Sequence, residues 1–254
     1  MTRARTAAAE TIDPEVLLRR ATLARTSGAR AKYAQRALSQ GGSLDDTTRS
    51  MLLRQLYLSH MEAREFTEAL GVATQMIDTC VMPDVARQDA ARACLGLGDV
   101  DGAVQHLRIA SRVSPAARRA FHLWTLGTVL YLNGRPEDAV GTLERALRWG
   151  TIDKPLYAAQ AALARHALGE EISDVEGLRE ALADAPCGQG YGQFVLGELA
   201  FVQGDYTAAH RYLSAFVNRT TTGRVALAVA LEGEVRRARR LLRLLRGKRQ
   251  RSSG

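Results

Sequence analysis

Apolar positions along most of this chain recur at three- and four-residue intervals, the period of a helix with one buried stripe. The clearest stretch is 120–153, AFHLWTLGTVLYLNGRPEDAVGTLERALRWGTID, where one amphipathic run closes at Asn133-Gly134 and a second opens at Arg135-Pro136-Glu137-Asp138. Glycine suits the left-handed position that ends a helix, and proline with two carboxylates suits the first turn of the next. The pattern predicts helix, tight turn, helix. Leu126-Gly127 before the turn and Ala139, Leu143 and Ala146 after it fall on facing sides of the two helices. Glycine and alanine there let the backbones approach, and leucine fills the space that remains.

The same unit recurs. Turns are predicted at Gly28, Arg64, Gly98, Gly134, Gly169, Gly204 and Gly233, with spacings of 36, 34, 36, 35, 35 and 29. Gly98-Asp99 is followed by Ala103, Leu107 and Ala110; Gly204-Asp205 by Ala209, Leu213 and Phe216; Gly233-Glu234 by Ala238, Leu242 and Leu245. Leu196-Gly197 repeats the Leu126-Gly127 pair at the same offset from its turn. In spacing and in these residues the chain resembles the tetratricopeptide repeat (TPR) family, whose period is about 34 residues. The resemblance implies an all-α fold, an α-solenoid of about seven antiparallel helix pairs wound as a TPR-like superhelix. It covers residues 14–246, with a flexible lead at 1–13 and a basic flexible tail at 247–254.

Several units depart from the pattern. The turn at Arg64 has no glycine, although Ala69 and Met76 hold the later positions. The unit at Gly169 carries extra residues, Glu171 to Ser173, before its second helix resumes near Val175. The first unit keeps helical periodicity but few signature residues, and the last has a shortened first helix, as terminal units of stacked repeats often do.

Composition changes this picture little. The chain has 6 prolines and 6% aromatic residues, and no strand pattern stands out, which favours helix. Asp13-Pro14 is an expected helix start. Residues 1–13 hold no apolar run of signal-peptide length, and no segment offers the roughly 18 apolar residues of a membrane span. Cys80, Cys94 and Cys187 are odd in number and form no metal-ligand or disulfide spacing. A cytoplasmic location is the expectation.

Chemistry finds no anchor. His60, His106, His122, His166 and His210 are dispersed, without ligand spacing, and are expected on the surface or in packing. Gly188-Gln189-Gly190-Tyr191-Gly192 lacks the preceding strand and following lysine of a phosphate loop and reads as a flexible connection. Asp45-Asp46, Glu137-Asp138 and Glu170-Glu171 fall at turns or helix starts, where carboxylates cap. No catalytic residue, metal ligand or cofactor is expected, and the chain is not expected to be an enzyme.

The family resemblance implies that the first helix of each pair lines a concave face. The side chains aligned with it are Phe121, Trp124, Thr128 and Tyr131, then Leu163 and His166, then Tyr191, Phe194, Glu198 and Phe201, with Arg54 and Arg92 from earlier units. Two readings of these aromatics stand. They pack against neighbouring helices, or they form an apolar groove that grips a partner segment. The carboxylate clamp found in some members of the family is not expected, because Lys32, Lys154 and Lys248 fall outside the groove positions.

Charge marks a second surface. Residues 1–223 hold 25 Lys/Arg and 25 Asp/Glu, whereas 224–254 hold 10 and 2. Val235, Ala238, Leu242 and Leu245 share one face of a predicted helix there. Arg236, Arg237, Arg239, Arg240, Arg243 and Arg246 surround it, with Lys248, Arg249 and Arg251 beyond. This helix caps the last repeat, or its cations meet an acidic protein, nucleic acid or an anionic surface. No aromatic residues interleave with them, so base stacking is not indicated. The expectation is a non-enzymatic scaffold or adaptor, gripping a partner protein or peptide in the groove and an acidic partner at the C-terminus. The alternatives are a regulator that contacts nucleic acid through its arginine-rich helix and a TPR-type chaperone for a secreted protein.

Overall fold

The structure, a computed structural model, describes residues 12–40 and 44–251. Most of the expected lead and the last three residues of the expected tail lie outside the described residues. Among the described residues fourteen α-helices and one 3-10 turn account for the fold, and there is no strand. The chain is all-α, in the α-solenoid class, and it divides into two compact units, Met1–Met82 and Pro83–Gly254. Cys80, with left-handed backbone at φ 56°, lies in the segment joining them.

The first unit holds α1 (Pro14–Leu23), α2 (Ser27–Leu38), α3 (Asp46–Ala63) and α4 (Phe66–Asp78). Asp13 caps α1 as expected, its carboxylate accepting from Glu15 N at 2.9 Å. Leu17, Ala37 and Leu52 bury one another, with Ile12, Leu18, Tyr33, Leu38 and Leu44 packed around them. Cross-links are polar: Ser59 donates to the Ser27 carbonyl at 2.7 Å, and Arg30 pairs with Glu62 at 2.7 Å.

The second unit holds α5 (Pro83–Leu97), α6 (Val100–Val113), α7 (Ala116–Leu132), α8 (Pro136–Trp149), α9 (Lys154–His166) and α10 (Val175–Asp184). It continues with α11 (Gly192–Gln203), α12 (Tyr206–Thr222), α13 (Val225–Ala230) and α14 (Glu232–Arg251). From α5 to α12 each helix packs on the next, and α14 packs on α12 while also reaching α11 and α7.

Five of the seven predicted turns are left-handed. Gly98, Gly134, Gly169 and Gly204 have φ between 73° and 92°, and Arg64 takes φ 61°. The other two differ. Gly28 lies inside α2, because Thr26 Oγ1 accepts from Ala29 N at 3.2 Å and starts the helix earlier. Gly233 lies inside α14, whose first turn carries Glu232 and Glu234, carboxylates that favour the positive end of a helix. Leu231 makes that joint instead, and α14 runs on to Arg251 where a tail from 247 is expected. The Gly188–Gly192 stretch is also tighter than a flexible connection. It begins within the 3-10 turn Pro186–Gln189, and a Cβ on Gly188 would meet Leu182 O at 2.1 Å.

Within the hairpins the signature residues close the core. Ala103, Ala110, Ala139, Leu143, Ala146, Ala209 and Leu213 are fully buried. The two predicted close approaches occur: a Cβ on Gly127 would meet Leu143 Cγ at 2.5 Å, and one on Gly197 would meet Leu213 Cγ at 2.6 Å. Each glycine thus makes room for the leucine nine residues past its turn. Gly127→Ala and Gly197→Ala are each expected to destabilise the protein by about 1–3 kcal/mol through overpacking. Gly141→Ala, inside α8 with nothing within 4 Å of its Cβ, is expected to stabilise by up to about 1 kcal/mol. Urea unfolding followed by far-ultraviolet circular dichroism separates them, and equal effects at all three positions would contradict the close-approach account.

Candidate functional site

The residues predicted to line a groove converge in the second unit, and most are covered. Trp124, Thr128 and Tyr131 on α7, Leu163 on α9, and Phe194 and Glu198 on α11 are buried. Tyr191 and Phe201 are half-buried, and Phe121 remains 41% exposed. His166 is exposed at the end of α9, where Nδ1 lies 3.1 Å from the Glu170 carbonyl and belongs to the turn. Arg54 belongs to the first unit. Arg92 lies 3.7 Å from Asp89 on its own helix.

Aromatic rings join α7 to α11 and α12. Phe121 lies 5.6 Å from Trp124, Trp124 meets the ring of Tyr191 edge-on at 4.8 Å, and Tyr191 meets Phe194 at 5.8 Å. Phe194 continues to Phe216 on α12 at 5.3 Å. Trp124 Nε1 donates to Gln160 Oε1 on α9 at 2.6 Å, so the indole's polar edge is satisfied inside the unit. Trp124, Tyr191, Phe194 and Phe216 share one interior, and α14 reaches its edge.

The closure is made by two side chains of α14. Arg237 Nε donates to Glu198, and its Nη2 donates to Tyr131 Oη at 2.7 Å. The guanidinium also lies 4.8 Å from the centroid of the Tyr131 ring, within cation–π range. One turn earlier Tyr191 Oη donates to Glu234 Oε1 at 3.2 Å. Arg237 is therefore not the free basic side chain that the sequence leads one to expect. Its placement three residues after Glu234 puts both on the same helix face. By contrast Arg236, Arg239, Arg240, Arg243 and Arg246 are exposed, while Val235, Ala238 and Leu245 are buried. Helix α14 thus has an apolar stripe, an inward polar pair and an outward basic stripe.

Burial governs the protonation of this cluster. Glu198 is 3% exposed, and burial pushes its carboxyl above the usual range against the opposing pull of Arg237. Burial works against the charge of Arg237, but Glu198 and Tyr131 outweigh it and hold the guanidinium above its ordinary value. Burial, reinforced by Glu198 or Glu234, raises both Tyr131 and Tyr191, so each stays a neutral phenol. Glu234, 8% exposed, is pushed up to about 7 by burial. Nearby Tyr191 and Arg92 pull it down, while Glu198 pushes it further up.

A second buried cluster, missed in the sequence, ties α5 to α7. Asp84 accepts from Arg118 Nε at 2.7 Å and Nη2 at 2.9 Å and lies 3.0 Å from His122 Nε2. Burial favours protonating Asp84, yet Arg118 and His122 overcome it and hold the carboxyl below its usual range. Burial lowers His122, which is 1% exposed. A carboxylate only accepts, so the neutral imidazole carries its proton on Nε2. The cluster contains a histidine and a carboxylate, but both are sealed between helices, which suits a structural tie.

No family model matches the chain, and no curated protein matches it. Among solved structures the chain is similar to the TPR domain of P58(IPK), at 12% identity and a TM-score of 0.33, over 91% of this chain and 77% of that one. The hairpin reading stands on the turns and close approaches of the chain itself.

Glu234 makes the docking of α14 depend on pH. An acid raised by burial is still protonated in the docked helix when its undocked form, with a value near 4.5, has already ionised. Docking is therefore penalised as pH climbs from about 4.5 to about 7, and the full penalty persists above that window. Its size is on the order of 3 kcal/mol. Glu234→Gln, which mimics the protonated acid, is expected to match the parent within about 1 kcal/mol at pH 5 and to exceed it by about 3 kcal/mol at pH 8.5. Urea unfolding at the two pH values measures this, and a difference that does not change with pH would rule it out.

Proposed function

We propose that this chain is a non-enzymatic scaffold that holds a segment of a partner protein on the inner face of α7, α9 and α11 and an acidic partner region on the outer stripe of α14. The observation that carries the reading is the inner face itself. Tyr131, Tyr191 and Glu198 come from two separate hairpins and together engage a helix, α14, through an aromatic face, a phenol and a buried carboxylate. Aromatic anchors around one desolvated charge are the usual composition of a strong peptide-binding surface.

Two carboxyls with raised values in one interior are ordinarily a mark of catalysis. Here each is answered by another side chain of the same chain, Glu198 by Arg237 and Glu234 by Tyr191. That use favours binding. The exposed stripe of Arg236, Arg239, Arg240, Arg243 and Arg246 supports the acidic contact. Helix α14 contains no aromatic residue with which to stack a base, so an acidic protein region suits it better than single-stranded nucleic acid.

The test is capture from extract of the source cells by the full chain and by an Arg239→Glu, Arg240→Glu, Arg243→Glu variant. The parent is expected to retain a discrete protein after nuclease treatment, and the variant to lose at least tenfold of it. Retention of nucleic acid alone, with steep weakening by salt, would replace the scaffold reading with the nucleic-acid one.

A further inference from the structure

We infer that α14 is an occupant in cis of a helix-binding face, and that the ligand this face takes in trans is an amphipathic helix bearing an arginine three residues after a hydrogen-bond acceptor. The inference rests on the scaffold reading and names both the partner's chemistry and the element that competes with it.

Four observations carry it. The face is complementary to a helix, because side chains from α7, from α11 and from Tyr191 just before α11 meet Arg237 and Glu234 one turn apart on α14. The complementarity is specific in its chemistry. Arg237 meets an anion at Nε, a phenol oxygen at Nη2 and an aromatic ring 4.8 Å from its carbon centre, while Glu234 meets a phenol proton. A lysine has no planar fork with which to make the first three together.

The holding is also incomplete. Glu198 Oε2 is buried without a hydrogen-bond partner, and a desolvated pair of this kind sets position more than it adds net stability. Glu234 faces Tyr191, Arg92 and Glu198, and it adds a second carboxyl whose burial opposes docking once it ionises.

Finally, the tether is slight. The chain leaves α12 at Gly223 and passes through α13, six residues with Val225 and Leu227 56% and 48% exposed, before α14 begins. Once lifted, α14 is a complete amphipathic helix, with Val235, Ala238, Leu242 and Leu245 on one side and arginines on the other. The helix that covers the face therefore shows what the face accepts.

A tethered helix competes at an effective concentration on the order of millimolar. A free copy of the same helix is then shut out of the parent chain at micromolar concentration and admitted when the tethered copy loses its anchor.

The experiment uses the full chain with Trp149→Phe, which leaves Trp124, whose ring touches Tyr191, as the single tryptophan reporter. A synthetic peptide of residues 232–251 is titrated into this chain and into the same chain carrying Arg237→Met, which keeps an apolar stem against Tyr131. Trp124 fluorescence reports occupancy, and circular dichroism confirms that the helices are intact. The Arg237→Met chain is expected to bind the peptide at least tenfold more tightly than the parent, and at least tenfold more tightly than a peptide whose own arginine at 237 is replaced by alanine. Adding Glu198→Gln is expected to remove that preference for arginine.

Equal binding of both peptides, or none by a folded Arg237→Met chain, overturns the inference. So does a dimer in sedimentation in which two chains exchange α14, since the occupant would then be a second copy. Protein capture from extract that persists while the peptide fails to bind leaves the scaffold reading standing and removes only this one. If Arg237→Met unfolds the chain, Arg237→Lys gives the same contrast, because lysine retains the charge and lacks the fork.

Discussion

A carboxylate cut off from water has to be answered by a cation, and Glu198 is answered by Arg237 from a helix 39 positions further along the chain. The second unit is arranged around that requirement. With the guanidinium at Glu198, α14 packs on α12 while reaching α11 and α7, and Tyr131 supplies both a ring face and a hydroxyl to the same group. Trp124 and Tyr191 fill the space beside it, with Gln160 taking the indole proton. Removing the charge pair would leave an aromatic interior with its lid held by the apolar contacts of α14 and the Tyr191–Glu234 hydrogen bond.

Stacking of hairpins makes such a pairing reachable. Two hairpins are drawn together by one glycine facing one leucine across a left-handed turn, Gly127 with Leu143 and Gly197 with Leu213. These contacts are local, between positions sixteen residues apart in both cases, and so they are legible in the sequence. The turns at Gly98, Gly134, Gly169 and Gly204 are legible for the same reason, as is Arg64 from the signature residues that follow it. Gly28 and Gly233 misled because a glycine marks a turn only where nothing nearby starts a helix sooner. Thr26 does so in one case and Glu232 in the other. A helix-start preference of this kind is worth about 1 kcal/mol.

The candidate site was legible only in part, for a geometric reason. Helical phase tells which side chains of α7 and α11 face inward, and Trp124, Thr128, Tyr131, Phe194 and Glu198 do share one interior. Phase does not tell how near successive inner helices come, because that depends on small rotations accumulated from hairpin to hairpin. Tyr131 and Arg237 are 106 residues apart, and no periodicity joins them. Glu234 was hidden for another reason: a glutamate in the first turn of a helix already has an adequate explanation in the helix dipole. Its spacing from Arg237 was the one available sign of a shared direction. The Asp84–Arg118–His122 cluster likewise joins helices through residues that look, one at a time, like ordinary surface charges.

The C-terminal helix shows why net charge is a poor measure of a binding surface. Arg236 and Arg237 are neighbours in sequence, yet about 100° of helical rotation separates them. One stands in solvent, and the other is held between Glu198 and Tyr131. The same rotation puts Val235 and Ala238 against the core and returns Arg239, Arg240 and Arg243 to the outside. The formal excess of 224–254 is therefore divided between an inward charge that fixes the helix and outward charges that remain for a partner. The two parts are coupled through one rigid rod: whatever holds Arg237 on Glu198 also fixes the direction of the outer stripe, and a ligand that takes the inner position would carry that stripe away with the displaced helix.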